Sequence, residues 1–263
     1  MVLAADTHVH AYPHFDLGRL FRESLRSLGR LEAGAVSAIF LTERHDCHVF
    51  AELSHRASAA PELMKVEAGT EPGALWVTMA PDQRLLVIAG RQIVTAERLE
   101  VLCLTADAEV RDGLPIRAAL AATREAGGIP VIPWSPGKWT GSRARLIRHL
   151  LDDSGVAPFL LADSSLRPRG WPRPAAFRHA ERRGIGILAG SDPLPLPGQE
   201  AKAGTYGIVT GDDFDVDSPI TSLRRMFDAE AGTWRVAGTR RGGVEVLRDL
   251  AALRREKTAE AKP

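Results

Sequence analysis

Residues 1–30 read MVLAADTHVHAYPHFDLGRLFRESLRSLGR. The apolar residues Val2, Leu3 and Val9 predict a strand over Met1 to Val9. Leu17, Leu20, Phe21, Leu25 and Leu28 recur at helical spacing and share one face, with Gly29 placed to end the helix. A second buried strand follows in AVSAIFLT, residues 35–42. Strand, helix and strand in this order form a parallel unit. The chemistry gathers at the end of the first strand and in the turn after it. This stretch holds His8, His10 and His14, three of the chain's eight histidines, between Asp6 and Asp16.

The rest of the chain repeats the pattern. A helix is expected over about 47–60. Two strands, LMKVEAG (63–69) and ALWVTMA (74–80), read as a hairpin-like excursion. RLLVIAG (84–90) and LEVLCLT (99–105) are further strands. Asp112 can cap a helix running to Ala126, which Gly127 and Gly128 end. IPVIPW (129–134), a helix over 142–153, APFLLAD (157–163), a helix opened by Pro174, and IGILAGSD (185–192) follow in turn. A strand near 206–209 and helices near 219–229 and 242–256 complete the chain, and the polar RREKTAEAKP is expected to fray. The alternation predicts one α/β domain over residues 1–263. It is a barrel of parallel strands with helices outside, interrupted near 63–82.

Composition limits the function. The 263 residues are 44% hydrophobic and carry a net charge of +1, so no global field favours nucleic acid or an anionic membrane. Two cysteines, Cys47 and Cys103, do not make a disulfide framework and suit a reducing compartment. The start has no basic region followed by a long apolar run, and no uncharged apolar stretch is long enough for a bilayer. A cytoplasmic protein is expected.

In a parallel barrel, the C-terminal strand ends share one rim. His8 and His10 are two apart on a strand and face one side. Other strand ends deliver Glu43, His45 and Asp46, then Arg91 and Gln92, then Asp163 and Asp192, while Glu100 lies within a strand. Imidazole and carboxylate together suit zinc, manganese or iron. Each motif alone also fits a bland reading: an HxH pair is often a polar strand end, and Asp163 or Asp192 can cap a turn. Their combined placement favours a metal. Lys138, Arg167 and Arg169 follow strand ends and can hold a phosphate. Arg143, Arg145 and Arg148 fit a solvated helix face.

These segments, in this order, resemble the polymerase and histidinol phosphatase (PHP) superfamily. DTHVH looks like its HxH motif, with Asp16 near the position of a further acid. AIFLTERHD (38–46) resembles its second motif, with His45 matching the histidine. IAGRQIVTAERLEVLCL (88–104), EAGGIPVIPW (125–134) and ILAGSDPL (187–194) resemble the later ones, so the likeness covers residues 3–194. It implies a distorted seven-stranded (β/α) barrel and, in many members, phosphoester hydrolysis at a site for up to three metals. The departures are Gln92 at the bridging glutamate position, Glu100 and Trp134 at histidine positions, and Leu194 at the last histidine position. The retained ligands are His8, His10, His45 and Asp192, with Asp16 or His14 as helpers.

Two functions follow. One is a metal-dependent hydrolase, phosphoesterase-like, acting on a small anionic or phosphorylated ligand and not on nucleic acid. It would hold about one ion per chain or none, with Glu100 or Asp163 as general base. The other is a barrel that has lost catalysis and serves as a binding or regulatory module, favoured by Gln92.

Overall fold

The structure, a computed structural model, describes residues 1–56, 64–107, 110–228 and 233–260. It begins with β1 (Leu3–Val9), α1 (Leu17–Leu31), β2 (Val36–Glu43) and α2 (Val49–Arg56). The hairpin strands β3 (Lys65–Ala68) and β4 (Ala74–Ala80) lead into the long β5 (Gln83–Val94). Then come β6 (Glu100–Leu104), α3 (Ile116–Glu125), β7 (Ile129–Pro133), α4 (Gly141–Asp152), β8 (Leu160–Ser164), α5 (Ala175–Arg182) and β9 (Ile187–Gly190). A short 3-10 turn at Gln199–Lys202 precedes β10 (Tyr206–Thr210), α6 (Pro219–Asp228), β11 (Trp234–Gly238) and α7 (Gly243–Glu260).

The eleven strands among the described residues belong to one sheet, ordered β11-β10-β1-β2-β5-β6-β7-β8-β9, with β4 added to β5 and β3 to β4. Seven of them, from β1 to β9 along this path, curl into a distorted TIM-like barrel. β9 closes on β1 by side chains and loop groups: Thr7 Oγ1 donates to the Ala189 carbonyl at 3.0 Å, and Ser191 N–H donates to Asp6 Oδ1 at 2.9 Å. At the other end of β9 the Trp234 indole of β11 donates to the Ile187 carbonyl at 2.8 Å. Gly190 permits the close approach, since a Cβ there would stand 2.3 Å from that of His8.

Among the seven barrel strands, the expected parallel order fails at one. β6 runs antiparallel to both β5 and β7. Only residues 95–99 join β5 to β6, too few for a parallel crossover. The reversal brings the first residue of β6, Glu100, to the rim where the parallel strands end, paired with Val94.

A second irregularity aims the histidines. Asp6 pairs with Ile39 and Val9 with Leu41, so β1 holds one residue more than β2 between those pairs. Such a bulge swaps the faces of a strand. Before it Ala4 packs under α1 while Leu3 and Ala5 face the barrel interior; beyond it Val9 joins the α1 layer. The even-numbered His8 and His10 thereby turn inward. A third apolar cluster fills the space between β6, β7 and β8 and the helices α3, α4 and α5.

Several local expectations are corrected. Asp112 accepts from Val94 N–H at 2.9 Å, and Glu97 caps α3 by accepting from Ile116 N–H at 3.0 Å. α1 runs past Gly29 to Leu31, and α7 continues through the expected tail to Glu260, as the helix formers in RREKTAE favour. The far end of the helix expected over 47–60 lies outside the described residues. No helix among the described residues is long and apolar enough to cross a membrane.

Candidate metal centre

β1 and the turn after β9 bring three ligand groups together. His8, His10 and Asp192 are buried, and one ligand atom from each lies within 4.8 Å of the others. His8 Nε2 and His10 Nε2 are 3.1 Å apart, and Asp192 Oδ1 stands 3.7 Å from the first and 3.6 Å from the second. Ligands of a tetrahedral ion at about 2.0–2.1 Å stand about 3.3 Å from one another. Burial, then the neighbouring His8, pushes His10 down to about 3, so its ring is neutral and keeps a lone pair for coordination. The donor set fits a divalent ion, and these residues can hold one.

The surrounding groups orient the ligands. Asp192 sits at φ +51°, a left-handed conformation that asparagine and aspartate tolerate better than most residues. Its N–H donates to the His8 carbonyl at 2.9 Å, and its Oδ2 accepts from Ser164 Oγ at 3.1 Å. Asp6 receives His8 N–H, Ser191 N–H and hydroxyl, and Gly204 N–H, which ties three segments behind the histidines. Burial raises Asp6 to about 6 despite those donors. Arg241 stacks its donors on the same turn from the far side: Nη2 reaches the carbonyls of Ser191 at 3.2 Å and Asp192 at 3.3 Å. Its other nitrogens bind Ser165, Gln199 and Asp249.

Gln92 Oε1 approaches His8 Nε2 at 3.2 Å, so the amide stands beside the ligand group. His10 and Asp192 open onto a cavity of about 360 Å³, which Gln92, Glu100 and Lys138 also line. Burial alone would raise Glu100, but the Lys138 charge and hydrogen bonds from Lys138 and Ser135 outweigh it and hold the carboxyl below its ordinary range. Lys138 Nζ lies 2.5 Å from Glu100 Oε1.

The structure does not bring every expected site residue to this point. Asp16 caps α1 by accepting from Arg19 N–H at 2.9 Å. His45 is exposed on the outer wall of the cavity, 3.5 Å from Asp112, and is not part of the cluster. His14 stacks on Tyr12 at a centroid distance of 5.9 Å. Asp163 and Arg167, expected as base and anion holder, bind each other: Nε to Oδ1 at 2.8 Å and Nη2 to Oδ2 at 2.5 Å. Neither lines the cavity, nor does Arg169, which is exposed with its backbone N–H on the Arg241 carbonyl. Trp134 and Leu194 are buried in the third cluster, and Leu194 also lines the cavity. Ser135, Ser164 and Arg241 carried no separate signal in the sequence.

No family model matches this sequence, and no curated protein does. Solved structures do. The fold is a shared one. PsfC from Pseudomonas syringae PB-5123 superposes with a TM-score of 0.56 at 13% identity, over 98% of each chain. Endonuclease Q in complex with a 27-mer duplex bearing an abasic lesion gives a TM-score of 0.50 at 13% identity, over 86% of this chain and 56% of that one. The lesion-specific endonuclease PfuEndoQ from Pyrococcus furiosus gives 0.50 at 14%, over 90% and 58%. The chain thus spans little more than half the length of the two endonucleases. At this identity the likeness is one of architecture.

Proposed function

We propose that the chain is a divergent PHP-type barrel that hydrolyses a small phosphate ester with one divalent ion, zinc, manganese or iron, held by His8, His10 and Asp192. The observation that carries this reading is the convergence of those three ligand atoms beside a cavity that His10, Asp192 and the Glu100–Lys138 pair line. A divalent ion there supplies Lewis acidity and an activated water. The protein supplies the rest. Lys138 reaches phosphoryl oxygens with a charge-assisted hydrogen bond. Glu100, kept ionised beside it, takes a proton from the attacking water. Burial keeps His10 from competing for that proton. Glu100 is preferred to Asp163 as the base because it lines the cavity and Asp163, bound by Arg167 and Tyr206, does not.

A panel of phosphomonoesters with manganese, zinc or ferrous iron tests the reading. Hydrolysis should appear with at least one metal, Glu100→Gln should lower kcat by about 10²- to 10⁴-fold, and Lys138→Ala should raise KM. A protein that holds its ion yet hydrolyses nothing on the panel would support the second reading, a non-catalytic binding barrel. That alternative is favoured by Gln92, a neutral amide beside His8 where a bridging carboxylate would carry charge.

A further inference from the structure

The cavity lining is of two kinds. It includes the polar His10, Asp192, Gln92, Glu100 and Lys138. It also includes Leu166, Leu194, Leu250 and Leu253, which pack together in the third apolar cluster. The last two are three apart on α7 and share one helix face, so the C-terminal helix supplies part of the lining. Arg241 and Asp249 hold that helix to the Asp192 turn, which fixes the apolar lining relative to the ligand groups. A volume of about 360 Å³ lies at the small end of the range for small-molecule sites. Within it an anionic group and an uncharged remainder must lie side by side.

We infer that the substrate is a small phosphate monoester of an apolar alcohol, aromatic or branched aliphatic, whose organic part packs on Leu194, Leu250 and Leu253 while its phosphate meets Lys138. This rests on the metal-site reading above, because the cavity is lined by three carboxylates (Glu100, Asp112 and Asp192) and two permanent cations (Arg44 and Lys138). Without a divalent ion this lining repels an anion; with one it attracts it. A sugar or other polyol in the same place would leave hydroxyls against leucine side chains with no partner. Leu250 and Leu253 are specificity residues in this scheme.

Phenylphosphonate and methylphosphonate, which carry the same anionic group and do not undergo ester hydrolysis, separate the contributions. Their binding is measured by calorimetry on the full chain, with and without added manganese or zinc, after ion stoichiometry has been measured on the same preparation. The expected result is that both bind only with the ion present and that phenylphosphonate binds at least tenfold tighter, about 1.4 kcal/mol. Leu250→Gln and Leu253→Gln, both on half-exposed positions, should erase most of that preference and leave methylphosphonate affinity and ion stoichiometry unchanged. Equal affinity of the two probes in the metal-loaded protein overturns the inference and leaves the metal site standing. A chain that takes up no ion overturns the metal-site reading, and the inference falls with it.

Discussion

Asp163 and Asp192 lie at the ends of neighbouring strands on one rim, both buried, and their surroundings differ in kind. Asp163 is fully engaged. Arg167 grips both of its oxygens and Tyr206 donates to Oδ2 at 2.8 Å, so the charge is neutralised inside the protein. Asp192 receives one hydroxyl, from Ser164, and turns its other oxygen toward the imidazoles of His8 and His10 and a cavity. A buried carboxylate bound by arginine is a structural element. A buried carboxylate without a cation at its free oxygen is able to take one.

The contrast breaks most visibly at Arg167. Arg167→Ala leaves Asp163 buried without its partner and should cost about 3–5 kcal/mol, read as a lowered midpoint in urea denaturation. A loss under about 1 kcal/mol would show that water replaces the guanidinium and that the pair is no more than a surface contact.

Glu43 sharpens the comparison as an intermediate case. Burial raises it to about 7 even though Val49 and Phe50 N–H groups and Arg91 favour its charged form. A carboxyl whose folded pKa lies above its unfolded value stabilises the fold when protonated. That contribution is fully present below about 4.5 and is lost as pH rises through about 7. Between those values wild type should lose up to about 3 kcal/mol relative to Glu43→Gln. Parallel pH–stability curves for the two proteins would contradict this.

The smallest stability effect is expected at Asp192. In ion-free protein, Asp192→Asn removes a buried charge with no cation at its free oxygen and should change stability by less than about 1 kcal/mol, or raise it. A loss comparable to that of Arg167→Ala would mean that Asp192 is a structural acid after all.

The strand-helix alternation made most of the barrel legible, because apolar runs of strand length separated by helical faces leave few other architectures. The pairing direction of β6 was not legible as a pattern, although the five residues between Val94 and Glu100 contained it. The HxH pair and Asp192 were readable as candidate ligands because both follow strand runs on one rim. Asp163 carried the same signature and could not be told apart, since its difference lies in Arg167 four residues on and Tyr206 far downstream. Asp16 and His45 sat at motif positions, yet one caps a helix and the other reaches solvent. Arg241 lies beyond the segment that resembled a family, and its role exists only in three dimensions.

Elemental analysis of tag-free protein tests the central claim most directly. About one divalent ion per chain is expected in wild type, and none in a His8→Ala, His10→Ala variant that folds normally by circular dichroism. Two or more tightly held ions per chain, or an ion retained by that variant, would contradict the assignment of His8, His10 and Asp192 as the metal site.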